Sequence, residues 1–390
     1  MYNQAIVTSP VALFLGAGAS KPLDKMLMGE FINFLEGEKN YSSSPLFQAI
    51  TVKERDLEFL FEELEDWARK TYLGAMHRVR GQSSSSLGAR RPVGGQSSSS
   101  PLDYAGDIIE MAAGLLDDLR KDVFQQYRQI NEPAAVSPLF NPMFEPIFEC
   151  IRPGKHCLPI FTTNYDPAIE EFRSQNSDQY LLDDGFEATR YGANHSWSRE
   201  YFESLRVHDE KRHLVLFKLH GSTNWFRDKT TVPPRIVKSD LRIHLPGHAD
   251  YENLLIYPAK RKILLDEPYF TAYDYFQRTL ERCKLCIVIG YSFRDYDALS
   301  RLRSAASLNK HLKLLIVDPN AEELARRLKA LGIHADYANS HFGVHVMKGI
   351  PVFPPTDQDY VAKIKAYLAN LDSSDSTDPL GSSHSARNPG

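Results

Sequence analysis

The chain has 390 residues, 42% of them hydrophobic and 25% charged, with a formal net charge of −4. That is enough apolar material for a sizeable core, and the slightly acidic balance excludes a global basic field of the kind that draws nucleic acid. Four cysteines in so long a chain argue for reduced thiols over a disulfide framework; no apolar run reaches membrane-spanning length, and the N-terminus has no charged segment leading into a long apolar one, so the expected location is the cytoplasm.

Val11–Leu15 reads as a buried strand that runs into Gly16, Ala17, Gly18, Ala19 and Ser20. Small residues let the backbone turn tightly and approach a ligand, and a helix starting from the turn would aim free N–H groups at a phosphate. Lys21 stands where a dinucleotide fingerprint has its third glycine, and Pro22 follows. Alone, the stretch fits either a phosphate cradle or an ordinary glycine-rich turn. Phe31, Ile32, Phe34 and Leu35 suggest a short helix. Leu57, Leu60, Phe61, Leu64 and Trp67 recur at helical spacing, opposite a solvated acidic face of Glu58, Glu62, Glu65 and Asp66. Residues 81–101 carry GQSSSS twice, with Arg90 and Arg91 between, and predict a mobile loop. A long helix is predicted from Asp103 to about Ile130, with Ile108, Met111, Leu115, Leu119 and Val123 on one stripe.

From Cys157 the pattern becomes α/β. Leu158–Thr163 reads as a strand ending at Asn164-Tyr165-Asp166, and Pro167 suits a helix start. Residues 174–212 are polar and aromatic-rich. Leu214–Leu219 is a strand ending at His220-Gly221-Ser222, and Asn253–Tyr257 a short strand before Pro258. Phe270–Arg282 reads as a helix, and Leu285–Ile289 as a strand ending at Gly290-Tyr291-Ser292. Leu312–Val317 is the next strand; Asn320 looks like a helix N-cap, Leu324, Leu328 and Leu331 form the helix stripe, and Gly332 stops it. A last strand is placed at Gly343–Met347 and a last helix at Asp357–Leu371, with Val361, Ile364 and Leu368 on one side. The expected fold is α/β: a Rossmann-like, mostly parallel sheet from residues 1–44 and 151–371, with a helical module inserted at 45–150 and a disordered tail at 372–390.

Open α/β sheets bind ligands outside the carboxyl ends of their strands. Here those ends carry GAGAS at 16–20, TTNYD at 162–166, KLHGS at 218–222, GYSFRDYD at 290–297 and DPN at 318–320. This ordered set resembles the sirtuin-like NAD-binding family, and within it a divergent branch found in bacterial anti-phage defence, over roughly residues 10–335. The resemblance implies NAD as substrate. It implies catalytic roles for Asn164, Asp166 and His220, with Gly16, Ala17, Gly18, Ser20 and Thr162 beside the cofactor. It also puts Gly290, Ser292 and Asp295 on the adenosine side, with Asp318 or Asn320 at the adenine ribose.

Two departures stand out: no PDFR-type segment follows the glycine turn, and there is no zinc ribbon of two CxxC pairs. Cys283 and Cys286 open a core strand and read as buried thiols, so no metal is expected. Both departures turn the expectation from protein deacylation to NAD+ glycohydrolysis, an effector activity that depletes cellular NAD on infection. Such control implies a homo-oligomer or an activating partner, such as the HerA-type ATPase or short Argonaute that accompanies some relatives. No membrane contact and no direct nucleic-acid binding are expected. The alternatives are a non-catalytic module that senses NAD or ADP-ribose, and an NAD-dependent protein deacylase.

Overall fold

The computed structural model describes residues 3–57, 59–68, 101–151, 155–188, 195–207, 210–239, 250–257, 266–339, 345–347, 350–352 and 362–369. The Ser-rich stretch after residue 81, up to residue 100, the tail at 372–390 and Val361 lie outside them.

The chain opens with helix α1 (Gln4–Val7) and strand β1 (Val11–Leu15). Four helices follow: α2 (Met28–Gly37), α3 (Pro45–Thr51), α4 (57 and 59–68) and α5 (Pro101–Tyr127). Helix α6 (Val136–Cys150) leads to β2 (Leu158–Thr162), α7 (Ala168–Gln175) and β3 (Tyr180–Asp183). Next come β4 (Phe186–Ala188), β5 (His195–Trp197), α8 (Arg199–Ser204) and β6 (Arg212–Lys218). Strands β7 (Gly221–Asp228), β8 (Arg235–Lys238) and β9 (Tyr251–Leu255) precede α9 (Tyr269–Leu280). The chain then alternates through β10 (Leu285–Ile289), α10 (Tyr296–Leu308), β11 (Lys313–Asp318), α11 (Ala321–Ala330) and β12 (Asp336–Asn339). A hairpin of β13 (His345–Met347) and β14 (Ile350–Val352) and a helix α12 (362–369) complete the described elements.

Seven strands form one sheet in the order β12-β11-β10-β1-β2-β6-β3, and every neighbouring pair is parallel. The expected α/β class is therefore what the chain adopts. Strands β1, β2 and β10 are buried along their whole length, as parallel strands covered on both faces must be. Alternate residues feed two cores. Val11, Leu13 and Leu15 pack beside α6, whereas Ala12 and Phe14 pack beside α9 and α10. Strand order reverses at β1, with β2 on one side and β10 on the other. That is the topological switch point where an open sheet leaves a crevice.

Several elements were not foreseen. Residues 174–212 hold β3, β4, β5 and α8, not an irregular stretch, and β4 and β5 belong to a second, five-stranded antiparallel sheet with order β4-β5-β8-β7-β9. Helix α10 also went unread. The last strand of the main sheet is β12, and the segment expected to supply it forms only the β13–β14 pair. The helical module is shifted too. Its cluster takes in α2 through Tyr127 of α5 together with Tyr165, Phe226, Val237 and Leu255 from the turn after β2 and the second sheet, while α6 shares the core under the main sheet through Val136, Leu139, Phe140, Met143, Phe144 and Ile147. The module thus runs from about α2 to α5 instead of 45–150, because α6 is the crossover helix that returns the chain to β2.

Candidate active site

The glycine turn is locked to the end of β10. Gly16 N–H donates to Ile289 O and Gly18 N–H to Gly290 O, both at 2.9 Å. A Cβ on Gly18 would lie 2.6 Å from Gly290 Cα, and one on Gly290, at φ +59, would lie 2.4 Å from Gly18 Cα. Glycine is required here first because two backbones touch. Ala19 and Ser20 N–H groups close the turn on Gly16 O and Ala17 O. Of the five amides from Gly16 to Ser20, only that of Ala17 is without a partner among the described residues. The cradle foreseen for a phosphate is therefore much narrower than a ring of free N–H groups.

Asn164 is tied to this turn. Its Nδ2 donates to Gly16 O and to Ser20 Oγ, both at 2.9 Å, and its backbone N–H donates to Thr162 Oγ1 at 3.0 Å. Its Oδ1 meets no partner among the described residues and is available to a ligand. Thr162 is buried, and its hydroxyl donates to Leu15 O at 2.9 Å, so it staples β2 to β1. Asp166 is buried at 4% exposure. Its Oδ1 accepts the Ala168 N–H at the start of α7, and its Oδ2 is a buried acceptor without a hydrogen bond.

His220 sits where the chain leaves the parallel sheet and enters the antiparallel one. The next residue, Gly221, turns at φ +80, where a Cβ would lie 2.0 Å from Leu254 O. The His220 carbonyl accepts Ile256 N–H at 2.9 Å, and Nε2 lies 2.5 Å from Asp295 Oδ2. Asp295 was expected on the adenosine side. The structure instead places it against His220, with its other oxygen capping α10. Tyr273 O–H also donates to Asp295 Oδ2, at 3.3 Å. Burial, and then the Asp295 carboxylate, push the Tyr273 phenol well above its ordinary range, so it stays a donor.

These groups close into a ring. Asn164 bonds the glycine turn, the turn bonds Gly290, and the loop from Gly290 leads to Asp295. Asp295 holds His220, whose ring lies 6.4 Å from that of Tyr165, the neighbour of Asn164. Ser292 is exposed on that loop. Asp318 and Asn320 lie at the end of β11 and make a local turn, Asp318 Oδ1 accepting Asn320 N–H at 2.8 Å. Asn320 occupies the N-cap position of α11 but makes no side-chain cap; Asn339 Oδ1 accepts the Glu322 N–H instead.

Two buried lysines were not anticipated. Lys218 Nζ donates to Asp166 O at 2.6 Å and Ser222 Oγ at 2.9 Å and pairs with Glu170 at 3.0 Å, bracing the ends of β2 and β6. Lys25 Nζ donates to the carbonyls of Gln126, in the last turn of α5, and Gln129, just past it. Burial holds the Lys25 ammonium below its ordinary range, against the pull of Asp166 and Asp24. The K of KLHG was the only sequence signal for Lys218. For Lys25 there was none.

Cys157, Cys283 and Cys286 are buried free thiols. Among the described residues no group of three or more His, Cys, Asp or Glu is placed to hold a metal ion, and no helix is long and apolar enough to cross a membrane.

Residues 159–335 match the family described as SIR2-like domain. No curated protein matches the chain. Among solved structures, a Sir2 homolog–NAD complex is 11% identical, with 94% of this chain and 93% of that one covered and a TM-score of 0.40. A mutant Sir2 homologue in complex with ADP-ribose is 10% identical, covering 95% and 96%, with a TM-score of 0.39.

Proposed function

We propose that this chain, whose residues 159–335 form a SIR2-like domain, is an NAD+ glycohydrolase that cleaves NAD+ to nicotinamide and ADP-ribose. The observation that carries the reading is the closed ring of strand ends at the switch point of the sheet, with two unused acceptors on it. Asn164 Oδ1 and Asp166 Oδ2 lack donors among the described residues. A ribose hydroxyl or water suits the first, and a carboxamide N–H the second.

Breaking the bond from nicotinamide to ribose builds positive charge on the sugar, and the leaving group departs neutral, so no strong acid is needed. The chain supplies what remains. Asn164, immobilised through its Nδ2, orients a hydroxyl or the attacking water, and Asp166 places a buried negative charge nearby. His220 takes the proton released as water attacks. Depletion of NAD as an effector in anti-phage defence, in the cytoplasm and under control of self-assembly or a protein partner, extends the same reading.

The test is nicotinamide release from NAD+, measured over a range of protein concentrations. Release should fall by roughly 10²-fold or more in Asn164→Ala and in His220→Ala, with folding retained. Tight NAD+ binding without release at any concentration would replace the enzyme by a sensing module. Release only on adding an acyl-lysine peptide would make it a deacylase.

A further inference from the structure

We propose that Asp295 is the positioning residue for His220: one carboxylate oxygen caps α10, and the other holds the imidazole in a single tautomer and orientation. This rests on His220 as the base of the reading above.

A carboxylate offers about four lone-pair sites. Asp295 has a donor for each. Oδ1 accepts the N–H groups of Asp297 at 3.0 Å and Ala298 at 3.3 Å, and Oδ2 accepts from His220 Nε2 at 2.5 Å and Tyr273 O–H at 3.3 Å. No acceptor capacity is left for an adenosine hydroxyl. Capping alone would not require this residue, since Ser, Thr or Asn caps a helix as well. The second acceptor oxygen is what only a carboxylate supplies, and it faces the ring at the junction of the two sheets.

The surroundings keep it there. The Asp295 side chain is 6% exposed and that of His220 12%. Tyr273 is buried on α9, with the Arg301 guanidinium 5.3 Å over its ring. Groups that face His220 include Asp295 from the α10 cap, Tyr273 through that carboxylate, and the Tyr165 ring from the turn after β2. With Nε2–H donated to Asp295, the imidazolium formed on taking a proton is stabilised in place, as in a hydrolase triad.

The decisive variant is Asp295→Asn. It keeps one carbonyl oxygen for the helix cap and replaces the other by an NH2 group, which cannot accept from Nε2–H. Asp295→Ser, which also caps a helix, is the second variant. Two measurements apply to each. The first is the kcat and KM for nicotinamide release: kcat should fall by roughly 10²- to 10⁴-fold, with KM within about threefold of the parent. The second is the pair of ring 15N shifts of His220, which report the tautomer whether or not the protein turns over. The parent should show one tautomer protonated at Nε2, and the variants a mixture or the other form. Unchanged ring shifts, or unchanged kcat in an active parent, would overturn the assignment. A parent that releases no nicotinamide but whose ring shifts change on substitution would defeat the hydrolase reading and leave Asp295 as the anchor of His220.

Discussion

Gly290 is pinned between its own left-handed backbone and the glycine turn across from it. Replacing it by alanine puts a Cβ at φ +59, 2.5 Å from Ala19 N. Overpacking and the left-handed Cβ together should lower stability by about 3 kcal/mol, read from urea unfolding. A loss under about 1 kcal/mol would show that the turn slides aside. Gly16, Gly18 and Gly290 stand out in the sequence as places where a ligand could come close; the structure adds the close approach of two loops, which no sequence pattern announces. The same limit applies to Asp295. Its type said acceptor, but only the fold could say that the donors are His220, Tyr273 and a helix start. Phe293 is buried on the same loop at φ 56, packed against the Tyr291 ring.

Among the elements, α5 links the helical module to the site. Tyr127 O–H donates to Met26 O at 2.7 Å, and its ring meets that of Tyr165 edge-on at 5.6 Å. Tyr127→Phe keeps the ring contact and leaves a buried carbonyl without its donor. It should cost about 1–2 kcal/mol in thermal or urea unfolding; an unchanged midpoint would mean that water replaces the hydroxyl. Helix α5 was legible as an element, and Leu119 and Val123 of its expected stripe are buried, but the stripe departs from expectation at Met111. Met111 is 48% exposed, and the buried face runs through Ala112, Leu116, Leu119, Val123 and Phe124. Hydropathy favours methionine over alanine, but close helix packing favours the small residue. Helix α6 carries Pro142 and Pro146 in its interior, a pattern that reads as a break, and it is held by the apolar side it packs under the sheet. Helix α10 buries only Ala298, Leu302 and Ala305, too thin a stripe to read. Strands β4, β5, β8 and β9 of the second sheet, three to five residues each, offer too few alternations to set a period.

At the scale of the molecule, three thiols lie in the two-sided core. Burial raises all of them, Cys286 from an ordinary 9.0 up to about 12. The unfolded chain ionises these thiols first. Their contribution to stability is thus complete below pH 9 and is lost as the pH climbs from about 9 toward 12. Melting temperature should therefore fall on the alkaline side. Cys286→Ala should flatten that fall by up to about 1.4 kcal/mol per pH unit over the window. Equal slopes in parent and variant would show that the thiol ionises in the native state. What was legible at this scale was the alternation of strands and helices and four of the strand ends that meet in the ring. The antiparallel sheet was not, and so neither was the junction on which His220 stands.

The interlocked glycines also bear on how such a crevice could diversify. Gly18 and the Ala19 amide fill the space that a side chain on Gly290 would need, Gly290 fills that of Gly18, and Gly290 with Tyr291 fills that of Gly16. No single substitution at any of the three is sterically neutral, and no second one restores the fit. Mutational drift is thereby shut out of the floor of the crevice. Any change in what it accepts has to enter through the walls, where Asn164, Tyr165 and the neighbouring end of α5 still have side chains to exchange.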